Sequence, residues 1–278
     1  MNCISAKMRT AAVIGLLFLV CMCGENVYKM GELPSKEKFA VALKYYEKGQ
    51  YSKAKILFES VARLNIIESY ADSAQFLLGQ CYYYMRDYVF AENEFQLIVN
   101  SRPGSRLIPR SKFMIGMCNL KMSPSSSLDQ ENTLKSINAF ELFIDDPAAQ
   151  FDAELYKEAE KQLQMLYNRL AEKDMKNGML YKKMGDYNAA IKYLNYAILD
   201  YNQYGFVACI PRALYETGEC YLKLKQYPEA RERFLVVVQN FSDNEYAEKA
   251  AKRLSEIKKK VLASRDTTTV IKSFNRIY

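Results

Sequence analysis

Apolar positions along 71–103, ADSAQFLLGQCYYYMRDYVFAENEFQLIVNSRP, recur at helical spacing in two successive runs. Phe76, Leu78, Gly79 and Tyr82 belong to a first helix, and Ala91, Phe95 and Ile98 to a second. Arg86-Asp87-Tyr88 makes the turn between them, and Arg102-Pro103-Gly104 ends the pair. Gly79 and Ala91 are small where the two helices face each other, so the backbones can approach closely. Tyr82, Tyr88 and Phe95 then fill the edges of the contact.

The same order of small and large residues recurs four more times. Upstream it reads Ala42, Tyr45, Gly49, Tyr51, Ala54 and Phe58; downstream a third unit has Phe113 and Gly116, then Ser136, Phe140 and Phe143. A fourth reads Gly178, Tyr181, Gly185-Asp186-Tyr187, Ala190, Leu194 and Ala197, and a fifth Leu214, Gly218, Tyr221, Gln226-Tyr227, Ala230, Phe234 and Val237. Ala42, Gly79 and Gly116 are each 37 residues apart. A helix–turn–helix unit with this order over about 34 residues resembles the tetratricopeptide repeat. The fold class expected is all-α, a tetratricopeptide-repeat superhelix of about five repeats with a capping helix.

Departures from the period define the remaining organisation. MSPSSSLDQENT, between Lys121 and Leu134, is a polar loop splitting the third repeat. After Asp145-Asp146-Pro147, residues 148–170 have helical character with few breakers and run on into the fourth repeat as one long helix, dividing three repeats from two. Residues 243–263 form a Lys- and Glu-rich amphipathic helix, the expected solvating cap of a solenoid end, in which Lys258-Lys259-Lys260 reads as a solvated face. Residues 264–278 have no clear period and read as a tail without regular structure. The first repeat begins near Ser35, a suitable N-cap.

The amino terminus has a different pattern. Lys7 and Arg9 precede the apolar run Ala11–Val20, which is short for a bilayer span and ends at Cys21-Met22-Cys23-Gly24. A basic start, a short apolar centre and a terminal cysteine read as a lipoprotein signal. On that reading residues 1–22 are removed, Cys23 is acylated, and 23–34 form a tether able to reach roughly 40 Å when extended. Cys23 is favoured over Cys21 because the polar stretch Gly24-Glu25-Asn26 begins there. The alternatives are a membrane anchor or a signal cleaved without lipidation. Loss of Lys7 and Arg9 lowers the net charge from +7 to +5, too small and dispersed an excess to argue for nucleic acid.

The chain contains no histidine, which removes most zinc sites and the usual neutral-pH general base. No cofactor or metal is expected. Asp145 and Asp146 end a helix with no histidine, glycine-rich loop or nucleophile nearby, so an acid–base role has no support. Cys81, Cys118 and Cys220 each follow a repeat glycine by two residues, a recurring position that asks for a small buried side chain. Cys209 and Cys220 would lie about 16 Å apart on a helix, beyond disulfide reach.

A lipoprotein cysteine followed by Gly-Glu, a short tether, FAVALKYYEKGQYSKAKILFESV and LLGQCYYYMRDYVFAENEFQLIVNSRP together resemble the BamD family, most closely its Bacteroidetes type. The third-repeat loop with Leu128-Asp129-Gln130, the long helix and the two closing repeats agree with it. This is the tetratricopeptide-repeat lipoprotein family of the outer-membrane β-barrel assembly machinery. The resemblance implies a non-enzymatic scaffold on the periplasmic face of the outer membrane. Its C-terminal repeats would bind a BamA-like barrel protein, and its N-terminal repeats unfolded outer-membrane proteins through their C-terminal strand; other assembly lipoproteins are further implied partners. The alternative is a periplasmic repeat lipoprotein serving as an adaptor for cell-wall or division complexes.

The residues add one hint of their own. Phe39, Phe76 and Phe113 are 37 apart, with Leu43 and Tyr46, Gln80 and Tyr83, and Met117 and Leu120 as same-helix companions. On first helices these eight candidates (Phe39, Leu43, Tyr46, Phe76, Gln80, Tyr83, Phe113 and Met117) line a face for an extended peptide with alternating aromatic residues. The competing reading is that they pack between repeats as core.

Overall fold

The computed structural model describes residues 33–63, 70–125, 129–199 and 208–274, with side chains as far as Lys260. The described residues form eleven α-helices, one short 3-10 helix and no strand. Helices α1 (Ser35–Glu47) and α2 (Tyr51–Ala62) make the first repeat; α3 (Ala71–Tyr84) and α4 (Tyr88–Ser101) make the second. The third is α5 (Ile108–Met122) with α6 (Glu131–Ile144), followed by the 3-10 turn Pro147–Phe151. Helix α7 (Ala153–Met184) is continuous over 32 residues, and its last turns pair with α8 (Tyr187–Leu199) as the fourth repeat. Helices α9 (Ile210–Lys223) and α10 (Tyr227–Asn240) make the fifth, and α11 (Glu245–Phe274) follows. This is the all-α tetratricopeptide-repeat fold. The leader, Cys23 and most of the tether lie outside the described residues.

Each repeat is built on one close crossing. A Cβ added to Gly79, Gly116 or Gly218 would lie 2.7 Å from the ring of Phe95, Phe140 or Phe234, and one on Gly178 would lie 2.7 Å from Leu194. All four partners have no solvent exposure. The small residue of the first helix therefore serves as the floor on which the large residue of the second rests. In the third repeat the small position of the second helix is Ser136, whose buried hydroxyl donates to the Gly116 carbonyl at 2.8 Å.

The turn inside a repeat passes through the left-handed region. Gly49 and Gly185 have φ of 69° and 84°, while Arg86 and Lys225 hold the equivalent place at 67° and 60°. Nothing lies within 4 Å of a Cβ built on Gly49, so the preference there comes from the backbone alone. Lys225→Gly is expected to raise stability by about 0.5–1 kcal/mol, and Gly49→Ala to lower it by about 1 kcal/mol, in paired urea titrations.

Three local boundaries differ from the sequence expectation. Pro34, extended at φ −55° and ψ 148°, is the N-cap of α1 and makes no side-chain cap bond, and Ser35 is already helical. Helix α6 starts at Glu131, inside the stretch assigned to the polar loop. Helix α11 continues past Ala263 to Phe274, because the sequence there loses its apolar period but contains no Gly or Pro to stop the backbone.

The described residues divide into two compact units, one up to Ser123 with Leu134–Tyr156, the other Pro124–Thr133 with the residues from Lys157 onward. In the first, Ala42, Ala54, Phe58, Leu78 and Cys81 form one core cluster, and Phe76, Ala91, Phe95, Ile98 and Cys118 another. In the second, Ala171, Leu194, Leu214, Phe234 and Ala250 belong to a single cluster. Neighbouring repeats are also tied by polar contacts. Arg102 pairs with Asp72 and donates to the Ala62 carbonyl at 3.3 Å.

Asp145 and Asp146 have structural surroundings. Asp146 accepts from the Ala148 N–H at 3.0 Å, capping the 3-10 turn, and its other oxygen pairs with Lys112 at 2.9 Å. Burial opposes ionisation of Asp146, but these donors outweigh it and hold the carboxyl below its ordinary value. A depressed carboxyl stabilises the fold above its unfolded value and ceases to do so as pH falls through the folded one. Lys112→Met is therefore expected to cost about 1 kcal/mol at pH 7, with the deficit closing below about pH 4 in urea titrations run across pH.

Candidate functional site

Tyrosines collect where the first two repeats turn. Tyr46 ends α1 and Tyr51 opens α2, with their rings edge-on at 5.5 Å; Tyr83 and Tyr88 repeat the arrangement 37 residues later at 5.4 Å. Tyr84 bridges the pairs: it stacks on Tyr51 at 4.8 Å and lies 6.1 Å from Tyr46 and 5.9 Å from Tyr83. The Tyr46 hydroxyl donates to Gln80 Oε1 at 3.0 Å, joining the first helices of the two repeats. Tyr84 is 50% exposed, and Tyr46, Tyr51, Tyr83 and Tyr88 are half-buried. Five rings thus form one connected aromatic surface.

Tyr46 and Tyr83 keep their phenolic protons at neutral pH. Burial, then the neighbouring Tyr84, pushes the Tyr46 phenol well above its ordinary value, and burial pushes Tyr83 up to about 12. These groups offer hydroxyl hydrogen bonding and apolar faces, a chemistry suited to aromatic or aliphatic side chains of a bound chain.

The eight residues proposed from spacing separate into two groups. Phe76 and Phe113, 9% and 6% exposed, pack on their own second helices: Phe76 against Phe95 at 5.3 Å, Phe113 against Phe140 at 5.4 Å and Phe143 at 5.6 Å. Phe39 turns the same way, onto Phe58 and Tyr70, both at 5.7 Å. Phe76 and Phe113 are core and Phe39 packs against the core partly buried, because a residue three positions before the small residue of the first helix faces the partner helix. Leu43, Tyr46, Gln80, Tyr83 and Met117, one or four positions after the small residue, remain partly exposed. Tyr51, Tyr84 and Tyr88 are additions the spacing argument missed. Tyr51 and Tyr88 are themselves 37 apart, a signal that a search restricted to first helices passes over.

In the second unit ion pairs join the first helices of successive repeats. Lys182 pairs with Glu216 of the next repeat, and Arg253 with Glu219 of the preceding one at 2.6 and 3.1 Å. Hydrogen bonds donated to the Glu256 and Glu219 carboxylates hold the Arg253 guanidinium firmly charged. These pairs join adjacent repeats, beside ring contacts of the second unit's own, Tyr181 with Tyr193 at 5.1 Å and Tyr215 with Tyr246 at 5.5 Å.

The cysteines offer no nucleophile. Cys81, Cys118 and Cys220 are fully buried, Cys209 is half-buried, and all four are free thiols. Burial pushes Cys81 up to about 12 and Cys209 and Cys220 up to about 11, and raises Cys118 further. Iodoacetamide at pH 8 is expected to modify these four roughly a hundredfold more slowly in the native chain than in urea, as read by mass spectrometry. Among the described residues no group of three or more Cys, Asp or Glu is placed to hold a metal, and no helix is long and apolar enough to cross a membrane.

The decisive comparison is with a family model. The model of the YfiO family, described as outer membrane lipoprotein, matches residues 32–224. The chain belongs to the YfiO family of outer membrane lipoproteins. A tetratricopeptide-repeat model also matches residues 212–244, spanning α9 and α10. No curated protein matches the chain. Among solved structures, the TPR2AB domain of yeast Sti1 is 15% identical, covering 87% of this chain and 88% of that one at a TM-score of 0.42. MamA is 18% identical over 78% of this chain and 94% of its own, at 0.33. A thermophilic tetratricopeptide-repeat protein of Thermus thermophilus is 13% identical over 81% and 98%, at 0.31. Both matching families are non-catalytic scaffold or adaptor types, and YfiO membership supports association with the outer membrane and binding of protein partners.

Proposed function

We propose that this YfiO-family chain is a BamD-like scaffold of the outer-membrane β-barrel assembly machinery, held on the periplasmic face by acyl chains on Cys23. Its first unit receives unfolded outer-membrane proteins, and its C-terminal repeats bind a BamA-like barrel protein. The observation carrying this reading is the connected tyrosine surface of Tyr46, Tyr51, Tyr83, Tyr84 and Tyr88 on repeats 1 and 2. An outer-membrane strand alternates apolar side chains along an extended backbone, and a row of aromatic faces with hydroxyls at their edges suits such a segment. A lipid tether raises the effective concentration of both partners at one membrane face.

Co-purification from detergent-solubilised membranes tests the reading. A stable complex with a barrel-bearing assembly protein and other assembly lipoproteins is the expected result. Recovery of peptidoglycan enzymes without any barrel protein would replace it with the adaptor reading. Mass spectrometry of the purified chain should find acyl groups on Cys23; a mature chain without acylation would remove the anchor.

A further inference from the structure

Two positions after its glycine, the first helix of repeats 2, 3 and 5 carries a cysteine that faces the repeat before it. Cys81, Cys118 and Cys220 hold that position, and none has any solvent exposure. Cys81 shares a core cluster with Leu57, Phe58 and Val61 of α2, Cys118 with Phe95 and Ile98 of α4, and Cys220 with Leu194 and Ala197 of α8. Other positions on this face of repeat 2 meet the same helix. Lys55 of α2 lies over the Tyr82 ring at 5.0 Å, and Ser52 of α2 approaches Met85 Sδ at 4.0 Å. In each case the covering element is the second helix of the preceding repeat.

Repeat 4 departs from this rule. Leu180 stands at the cysteine position after Gly178, and Met184 at the place of Met85, yet they are 55% and 70% exposed. Tyr181, the counterpart of Tyr82, stacks on Tyr193 of α8 at 5.1 Å, and Tyr193 meets Tyr196 edge-on at 5.9 Å. Tyr196 is exposed as well, so these side chains make one apolar surface across the end of α7 and α8. Repeat 1 shows the same face when it is left to water: the two places after Ala42 hold Lys44 and Lys48, both exposed. Large apolar side chains at both places in repeat 4 mark a face that binds.

Charge sets the flanks of this surface. Lys183 is exposed beside Leu180 and Met184, on the side of α7 turned from Tyr181. Lys192 is exposed on α8, its Nζ 5.9 Å from the centre of the Tyr196 ring. Lys182 is engaged with Glu216, and Asp186 with the Ala189 N–H that it caps at 3.0 Å.

We propose that this face of repeat 4 docks an amphipathic α-helix of a partner protein, with apolar residues at three- and four-residue spacing and acidic residues on its flanks. The helix lies there as α2 lies on repeat 2, its apolar stripe on Leu180, Tyr181 and Met184 and its carboxylates beside Lys183 and Lys192. An extended segment fits less well. The backbone groups of α7 and α8 are spent within their own helices, so its N–H and C=O groups would lose water with nothing in exchange, whereas a helix arrives with those bonds made. The inference goes beyond the function proposed above: it concerns the form and charge of the ligand, and holds whether an assembly protein or a cell-wall protein carries the helix.

The test uses the full mature chain with Cys23→Ser and, as probe, a yeast-displayed library of helical peptides of about 16 residues, the length of four to five turns. Enriched peptides are expected to carry apolar residues at helical spacing with Asp or Glu beside them. Titrated as synthetic peptides, they should lose roughly tenfold or more in affinity on Leu180→Lys or Met184→Lys, which reproduce the solvated face of repeat 1. Both residues are exposed, so circular dichroism should show the fold kept. Lys183→Glu combined with Lys192→Glu should weaken the acidic peptides and favour versions with Lys in place of the acids. Tyr84→Ala should change nothing, which separates this face from the tyrosine surface. The titration needs only the purified chain and a synthetic helix, so it and the co-purification of a barrel protein can fail independently. Failure to enrich any peptide, peptides indifferent to both lysine substitutions, binding in an extended form by nuclear magnetic resonance, or a dimer in sedimentation that Leu180→Lys abolishes would each overturn the proposal.

Discussion

Phe95→Ala is expected to destabilise the first unit by about 3–5 kcal/mol. Phe95 is fully buried, packs on Phe76 and rests directly on Gly79, so its removal leaves a cavity bounded by two helices that are held apart at other points. Urea unfolding followed by circular dichroism reads the loss. The reciprocal substitution works by overpacking: Gly79→Val forces side-chain atoms into the space of the Phe95 ring and should cost about 1–3 kcal/mol beyond any helix-propensity change. Combining Gly79→Ala with Phe95→Leu should cost less than the two alone, because removing the Phe95 ring takes away the atoms that an added Cβ on Gly79 would meet at 2.7 Å. Strict additivity, or a tolerated Phe95→Ala, would mean the crossing is not what fixes the helix pair.

The second large effect is expected in binding. A peptide taken from the C-terminal strand of an outer-membrane barrel protein should lose roughly tenfold or more in affinity on Tyr84→Ala, and similarly on Tyr46→Ala or Tyr83→Ala, since an anchored apolar side chain is worth about 1.5–3 kcal/mol. Tyr84 is the most informative of the three: at 50% exposure it can be cut back with little loss of core. Lys182→Ala, on a first helix of the second unit, should leave peptide affinity unchanged. Fluorescence anisotropy on folded variants distinguishes the outcomes, and equal affinity across all three tyrosine variants would remove the tyrosine surface as the receiving site.

The fold was readable because each repeat carries its own steric instruction. A glycine or alanine on one helix and a phenylalanine or leucine on the next leave little choice of crossing, and the 37-residue interval between Ala42, Gly79 and Gly116 repeats that instruction in register. The long α7 was readable for the opposite reason, no proline and a single glycine, Gly178, between Asp152 and Met184. The same absence carries α11 on to Phe274, where apolar periodicity gives no sign of a helix. The candidate surface was legible only in part. Spacing puts Phe39, Phe76 and Phe113 on matching positions but cannot tell which way a position faces, and all three turn toward their own second helices. Tyr84 breaks the period altogether: it has no tyrosine partner 37 residues away, since that place is held by Glu47 on one side and Lys121 on the other. Its role comes from stacking on Tyr51 across two repeats, a relation the linear pattern does not contain.

The cross-repeat hydrogen bonds described above, Tyr46 to Gln80, Arg102 to Ala62 and Arg253 to Glu219, each join positions only 34 to 40 residues apart along the chain. With short loops to close, the entropy of bringing partners together is small, and folding of such a chain is fast and can begin wherever two repeats are present. A polypeptide delivered end-first can therefore complete its leading pair of repeats while the remainder is still arriving, and a surface made only by that pair is the earliest one ready for use.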